Sequence, residues 1–205
     1  MRDVKKIRKY FKINTSKTET ASYTHLLNQG FSAIPYLLNV KGEDLSKVKH
    51  YYDDPHFYAF QKVLVVGAAN SAIDAALETW RKGATVTMVI RGDKISYRVK
   101  YWVKPDIENR IKEGSIKAYF HSVIKEIREH EVDIKTPKGI VTIENDWVIA
   151  MTGYQPNLQF LRQIGIHISE DEVCKPSYNE INYETNIKGL YLAGVICGGL
   201  NTHRL

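Results

Sequence analysis

The chain has 205 residues and a mass of 23.5 kDa, which fits one or two domains at about 150 residues each. With 43% apolar, 25% charged and 11% aromatic residues it is composed to fold around a core, which excludes general disorder; no run reaches the roughly 20 apolar residues of a membrane helix, and the basic start MRDVKKIRKYFKINTSK lacks the apolar stretch of a secretory signal. A net charge of +6 favours anionic partners without naming one, nucleic acid and a phosphorylated cofactor both being candidates; outside Lys5, Lys6, Arg8, Lys9 and Lys12 the basic residues are scattered and no aromatic stacking motif of the RNA-binding kind accompanies them, and neither a nucleic-acid nor a membrane partner is expected.

A short strand is expected at Lys12–Ser16, while residues 23–30 show no clear period. A turn-rich passage with Gly42-Glu43-Asp44 and Asp53-Asp54-Pro55 reads as a connection between domains. The pattern sharpens at Lys62. Val63-Leu64-Val65-Val66 is a β-branched run without alternation, as in a strand covered on both faces of a parallel sheet. Asn70 to Lys82 is predicted as a helix, with Ile73, Leu77 and Trp80 at helical spacing and Ala72, Ala75 and Ala76 allowing close approach to a sheet. Gly83 is its left-handed cap, and Thr85–Ile90 is the next strand, completing a βαβ unit. A second helix starts at Pro105 and is closed by Gly114; Ile116–Phe120 is a third strand. Val123–Arg128, Glu131–Lys135 and Ile140–Glu144 form a meander, the last two joined at Pro137-Lys138-Gly139. Asp146–Met151 and Gly189–Gly194 are further apolar strands.

The first βα turn, Gly67-Ala68-Ala69-Asn70-Ser71-Ala72, follows the dinucleotide fingerprint G-x-G-x-x-G/A with Ala69 in place of the middle glycine. Gly67 suits the tight turn and Ala72 the close helix–strand packing. The helix start offers free N–H groups and a positive dipole end to a phosphate, with Asn70 and Ser71 as side-chain donors. The next strand ends in Arg91 rather than in an acid that would accept from a ribose hydroxyl. A guanidinium suits a 2′-phosphate, with Arg98 and Lys100 able to fold back beside it, so NADP(H) is expected over NAD(H).

These residues carry a resemblance. Gln61-Lys62-Val63 through Ala76, with Val89-Ile90-Arg91, resembles the NADPH domain of thioredoxin-reductase-like pyridine-nucleotide flavoproteins. Ala150-Met151-Thr152-Gly153-Tyr154-Gln155-Pro156-Asn157 resembles the family's A-x-G-x-x-P-N segment, and Thr185 through Gly194 its second flavin motif. The stretches Gly67–Ala72, Tyr101-Trp102-Val103-Lys104-Pro105 and Ala193-Gly194-Val195-Ile196 are similar to those of bacillithiol disulfide reductases, and the likeness covers about residues 36–201. It implies NADP(H) and FAD as cofactors, Gly153 and Gly194 at the cofactor, and Asp74 near the nicotinamide.

The departures bear on mechanism. Where thioredoxin reductases carry a redox C-x-x-C this chain has His50-Tyr51-Tyr52-Asp53, and Val195 stands at the flavin motif's aspartate. No front G-x-G-x-x-G is found; Asn28-Gln29-Gly30 occupies the place of the relatives' A-T-G turn, and Leu205 precedes the end of the final flavin-domain helix. A complete flavin site is therefore not expected, and the chain reads as truncated at both ends. Cys197 would fall near a flavin edge, as a buried small hydrophobe or a redox thiol; Cys174 is a surface thiol. The two cysteines fit no disulfide framework and no zinc pattern, so no metal is expected and a reducing cytoplasm is. His56 and His121 lack any ligand or triad context.

The expected fold is α/β: a Rossmann-like parallel sheet with a β-meander, the NADP(H) domain of residues 50–150, inserted in a partial flavin-binding domain of residues 1–49 and 151–205. Flanks without their usual neighbours expose apolar sheet, which predicts a homo-oligomer. The expected function is the NADP(H)-binding portion of a flavin-dependent pyridine-nucleotide (disulfide) oxidoreductase. The alternatives are a non-catalytic nucleotide-binding module that needs a partner chain or has lost activity and, third, an adapter or nucleic-acid binder using its basic surface.

Overall fold

The structure, a computed structural model, describes residues 34–200 and, before them, the backbone of four strands: Asp3–Ile7 (β1), Tyr10–Asn14 (β2), Glu19–Ser22 (β3) and His25–Asn28 (β4). β2 overlaps the strand expected at Lys12–Ser16, whose last two residues lie outside the described ones, as do Gln29 and Gly30 of the degenerate turn. β4 forms where the sequence shows no period, and Ile34–Pro35 (β5) follows it. The chain divides into two compact units: residues 36–152, and residues 1–35 together with 153–205.

The strands of the 36–152 unit are, in chain order, Val48–Lys49 (β6), Lys62–Val66 (β7), Thr85–Val89 (β8), Lys117–Tyr119 (β9), Val123–Ile127 (β10), Glu131–Thr136 (β11), Gly139–Glu144 (β12) and Trp147–Ala150 (β13). Helix α1 (Asn70–Arg81) links β7 to β8, and α2 (Lys104–Lys112) lies between β8 and β9. Five strands make one parallel sheet in the order β6-β13-β7-β8-β9, and β10-β11-β12 form an antiparallel meander.

The sheet is covered on both faces, which is why β7 reads as an unbroken apolar run. Val63 and Val65 turn to one face with Val86, Met88, Ile90 and Ile149, where they meet Ile73, Ala76 and Leu77 of α1 and Ile107 of α2. Leu64, Val89 and Val148 turn to the other face, against Ile124, Ile127, Val132 and Ile134 of the meander. Each fully buried Leu or Ile here contributes about 1.5–3 kcal/mol relative to exposure. Gly83 ends α1 with φ +88°, the left-handed conformation that glycine adopts without strain. Pro105 falls in the first turn of α2, where no intrahelical N–H is needed.

In the other unit β4 runs parallel to Leu190–Ala193 (β15), β5 pairs antiparallel with Tyr154–Gln155 (β14), and β1-β2-β3 form an antiparallel sheet. Its core is built from Leu161, Ile166, Leu190, Leu192, Ile196 and Cys197. Helix α3 (Leu158–Gln163) is absent from the sequence reading; the Asn157 side chain caps it by accepting from the Phe160 N–H at 3.0 Å. The fold is α/β, with a Rossmann-like sheet and β-meander in a unit that interrupts the other in sequence. No helix among the described residues is long and apolar enough to cross a membrane.

Candidate dinucleotide-binding site

The turn from β7 into α1 is a tight bend that only glycine can make. Gly67 has φ +135°, and a Cβ there would lie 2.6 Å from the Met151 carbonyl oxygen and 3.0 Å from the Ala72 Cβ. Ala68 carries the chain onward, its carbonyl accepting from the Ser96 N–H at 3.0 Å. Ala69 is the N-cap of α1. Its backbone is extended (φ −103°, ψ −179°), so alanine sits there without strain, and no side chain caps the helix. The first-turn amides of Asn70, Ser71 and Ala72 have no intrahelical acceptor. With the helix dipole behind them they present a positive end of the kind that suits an anion.

The segment after β8 folds back onto this turn. Arg91 is exposed at the strand end. Ile95 and Val99 are 3% and 4% exposed and peg the segment into the core beside α1, while Tyr97, Arg98 and Lys100 stay in solvent. Asn70, expected as a phosphate donor, is engaged differently. Its Nδ2 donates to the Arg98 carbonyl at 3.1 Å, and its Oδ1 accepts from the Lys100 N–H at 2.9 Å. The Lys100 ammonium donates to Asp74 at 3.0 Å. The Arg98 guanidinium donates through Nε to the Tyr97 hydroxyl at 3.1 Å and lies over its ring. Ser71 is exposed at the helix start. Ala68, Asn70, Asp74, Ser96, Arg98 and Lys100 thus belong to one hydrogen-bonded cluster, directly after the Gly67 bend. Sequence reasoning missed the pairing of Asn70 and Asp74 with this segment, and only the unusual density of basic residues after β8 hinted at it.

Gly153 and Gly194 fall in the other unit, with φ +98° and +84°; Gly194 precedes a single 3₁₀ turn, Val195–Gly198. Val195 presents no side-chain acceptor there. Cys197 on this turn is buried among apolar neighbours, and that burial pushes its thiol above the ordinary value. Cys174 is half-buried rather than a surface thiol, its Sγ donating to the Asp171 carbonyl at 3.4 Å. His56 pairs with Asp54 at 2.7 Å, and no metal-binding cluster of His, Cys, Asp or Glu exists among the described residues.

The slot before β7 is aromatic: Tyr52 stacks on Tyr58 at 6.2 Å, and its hydroxyl donates to Glu78 at 2.8 Å. Burial and this acid both hold the Tyr52 phenol well above the usual range.

Known proteins share this architecture. Bacilliredoxin reductase of Bacillus subtilis is 41% identical over 197 residues, covering 95% of this chain and 60% of its own length. The solved bacillithiol disulfide reductase of Staphylococcus aureus superposes with a TM-score of 0.90 at 38% identity, over 98% of this chain and 62% of that one. A thioredoxin reductase from Lactococcus lactis, 23% identical over 98% of this chain and 65% of its own, has the same fold with a TM-score of 0.75. The chain thus spans about three-fifths of the length of these first two relatives. A ferredoxin–NADP reductase of Ignicoccus hospitalis is 28% identical over 174 residues, covering 82% of this chain and 54% of its own length. The family model for pyridine nucleotide-disulphide oxidoreductases matches residues 1–194, and the chain belongs to that family.

Proposed function

We propose that the 36–152 unit is the NADP(H)-binding portion of a flavin-dependent pyridine-nucleotide disulfide oxidoreductase. The observation that carries this is the Gly67 turn, where a glycine that no other residue can replace precedes a helix whose first amides no side chain caps. These residues fit a pyrophosphate. The Gly67 bend lets the backbone approach it, the amides of Asn70, Ser71 and Ala72 donate to it, and exposed Arg91 and Arg98 supply guanidinium groups for a 2′-phosphate. NADP(H), when bound, supplies hydride chemistry, and the protein's part is position and charge.

A dithiol route through the slot before β7 is not part of this reading. His50-Tyr51-Tyr52-Asp53 fills that slot, and Cys174 and Cys197 are the chain's only cysteines. Exposed Tyr97, Tyr101 and Trp102 support self-association as a homo-oligomer, and gel filtration eluting as a clean monomer overturns that part.

The test is a calorimetric titration of the 205-residue chain with NADPH and with NADH, beside a visible absorbance scan for bound flavin. Tight NADPH binding that Arg91→Ala weakens while NADH is unaffected supports the reading. A chain that binds neither nucleotide is instead a non-catalytic relative and overturns it.

A further inference from the structure

We infer that Asn70 is a positioning residue for nucleotide selectivity: it staples the Arg98 segment onto the phosphate turn rather than touching the phosphate. The inference rests on the NADP(H) reading above and deepens it. Both halves of the Asn70 carboxamide are engaged, Nδ2 on the Arg98 carbonyl at 3.1 Å and Oδ1 on the Lys100 N–H at 2.9 Å. A carboxamide offers a donor and an acceptor on one short planar group. Serine has too short a reach for both, and aspartate keeps the Lys100 bond while losing the donor.

The rest of the segment is held at points that bracket this staple. The Ser96 N–H donates to the Ala68 carbonyl at 3.0 Å, and the Arg98 N–H donates to the Ser96 Oγ at 3.2 Å. Ile95 and Val99 are buried pegs on either side of Arg98. The Arg98 main chain is therefore fixed at both its N–H and its carbonyl before any ligand arrives. An arginine on a free loop loses conformational entropy on binding a phosphate, and one on a fixed loop loses less. Selectivity for a 2′-phosphate over a 2′-hydroxyl accordingly depends on Asn70 through Arg98, whereas the pyrophosphate is held by backbone amides that Asn70's side chain does not touch.

The experiment titrates the full chain and its N70A, N70D, R98A and N70A/R98A variants with NADPH and with NADH. It also follows exchange of the Lys100 amide proton without ligand. N70A is expected to weaken NADPH by about tenfold and NADH by no more than about twofold. The double variant is expected to bind NADPH no worse than R98A alone, since the two residues act in series. The Lys100 amide is expected to exchange faster in N70A. Equal weakening of both nucleotides, or losses from N70A and R98A that multiply, overturns the inference. If N70A does not fold, N70D decides: an NADPH-to-NADH affinity ratio equal to the wild type's overturns it, and a lowered ratio supports it. A wild-type chain that binds neither nucleotide overturns the site itself. Normal wild-type selectivity that N70A leaves intact overturns only the role of Asn70.

Discussion

The Lys100 ammonium sits 3.0 Å from the Asp74 carboxylate, one turn into α1 from its uncapped start. The acid that the family resemblance put near the nicotinamide is thus paired with a cation from the segment that carries Arg98. Both side chains are more than a third exposed in this pair, at 41% and 34%, so the bond adds under about 1 kcal/mol to stability. Asp74→Asn is expected to leave the unfolding midpoint nearly unchanged and to free Lys100 for the bound anion. NADPH affinity should rise at low ionic strength, and the gain should fade in high salt. A loss of affinity on this substitution would mean that the carboxylate itself contacts the nucleotide.

Gly67→Ala tests the turn from the side of stability. The added methyl meets the Met151 carbonyl oxygen at 2.6 Å, and φ +135° is strained for any residue with a Cβ. Together these are expected to cost about 2–3 kcal/mol or more in urea denaturation. Ala69→Gly is the matched control, since Ala69 is extended and glycine is the better N-cap. Its stability should change by less than about 1 kcal/mol. A Gly67→Ala protein as stable as the control would remove the steric argument for the turn.

Much of this fold is legible in the sequence. The two-sided burial of β7 shows as the run Val63–Val66 without alternation, and the small face of α1 shows as Ala72, Ala75 and Ala76. The Gly67 bend and the place of Arg91 at a strand end are legible because a βα turn and a strand end are local. Asn70's partners were not, because they lie 28 and 30 residues away and a backbone carbonyl leaves no mark on side-chain identity. Helix α3 is short, and its signal is the capping Asn157, already taken up by the family's P-N segment, before Leu158 and Leu161. β5, β6 and β14 have two residues each, too few for any period to form.

The meander carries a pH dependence. Asp133 accepts two bonds from the Arg128 guanidinium, at 2.9 and 2.8 Å, and one from the Thr142 hydroxyl at 2.7 Å. These hold its carboxyl well below the usual carboxylate range, the arginine being the larger cause. A depressed folded value means the stabilisation is fully present above the ordinary aspartate value of about 4, and is lost progressively as the pH falls from there through the folded value. Asp133→Asn is expected to be less stable than wild type at neutral pH and to flatten the decline of the urea midpoint between about pH 4 and pH 2. An unchanged slope in that window would show that other carboxylates set the acid limit.

Cys197 decides whether the 3₁₀ turn after β15 carries a reactive thiol. It is 4% exposed in a cluster with Leu161, Leu190 and Leu192, and desolvation raises its pKa, outweighing a backbone hydrogen bond and the charge of Lys175, which oppose it. At neutral pH it therefore holds even less thiolate than an ordinary cysteine, whose value is about 8.5. In native protein a thiol-reactive chromophore is expected to label half-buried Cys174 first, and Cys197 only as the unit opens or in denaturant. Because the raised value favours the neutral form in the fold, its stabilising effect is complete below the unfolded value and is lost as the pH rises through the folded one. Cys197→Ala is expected to cost about 1 kcal/mol through the small void it leaves. Labelling of native Cys197 at the rate of a free thiol would reverse the assignment and make the turn a redox candidate.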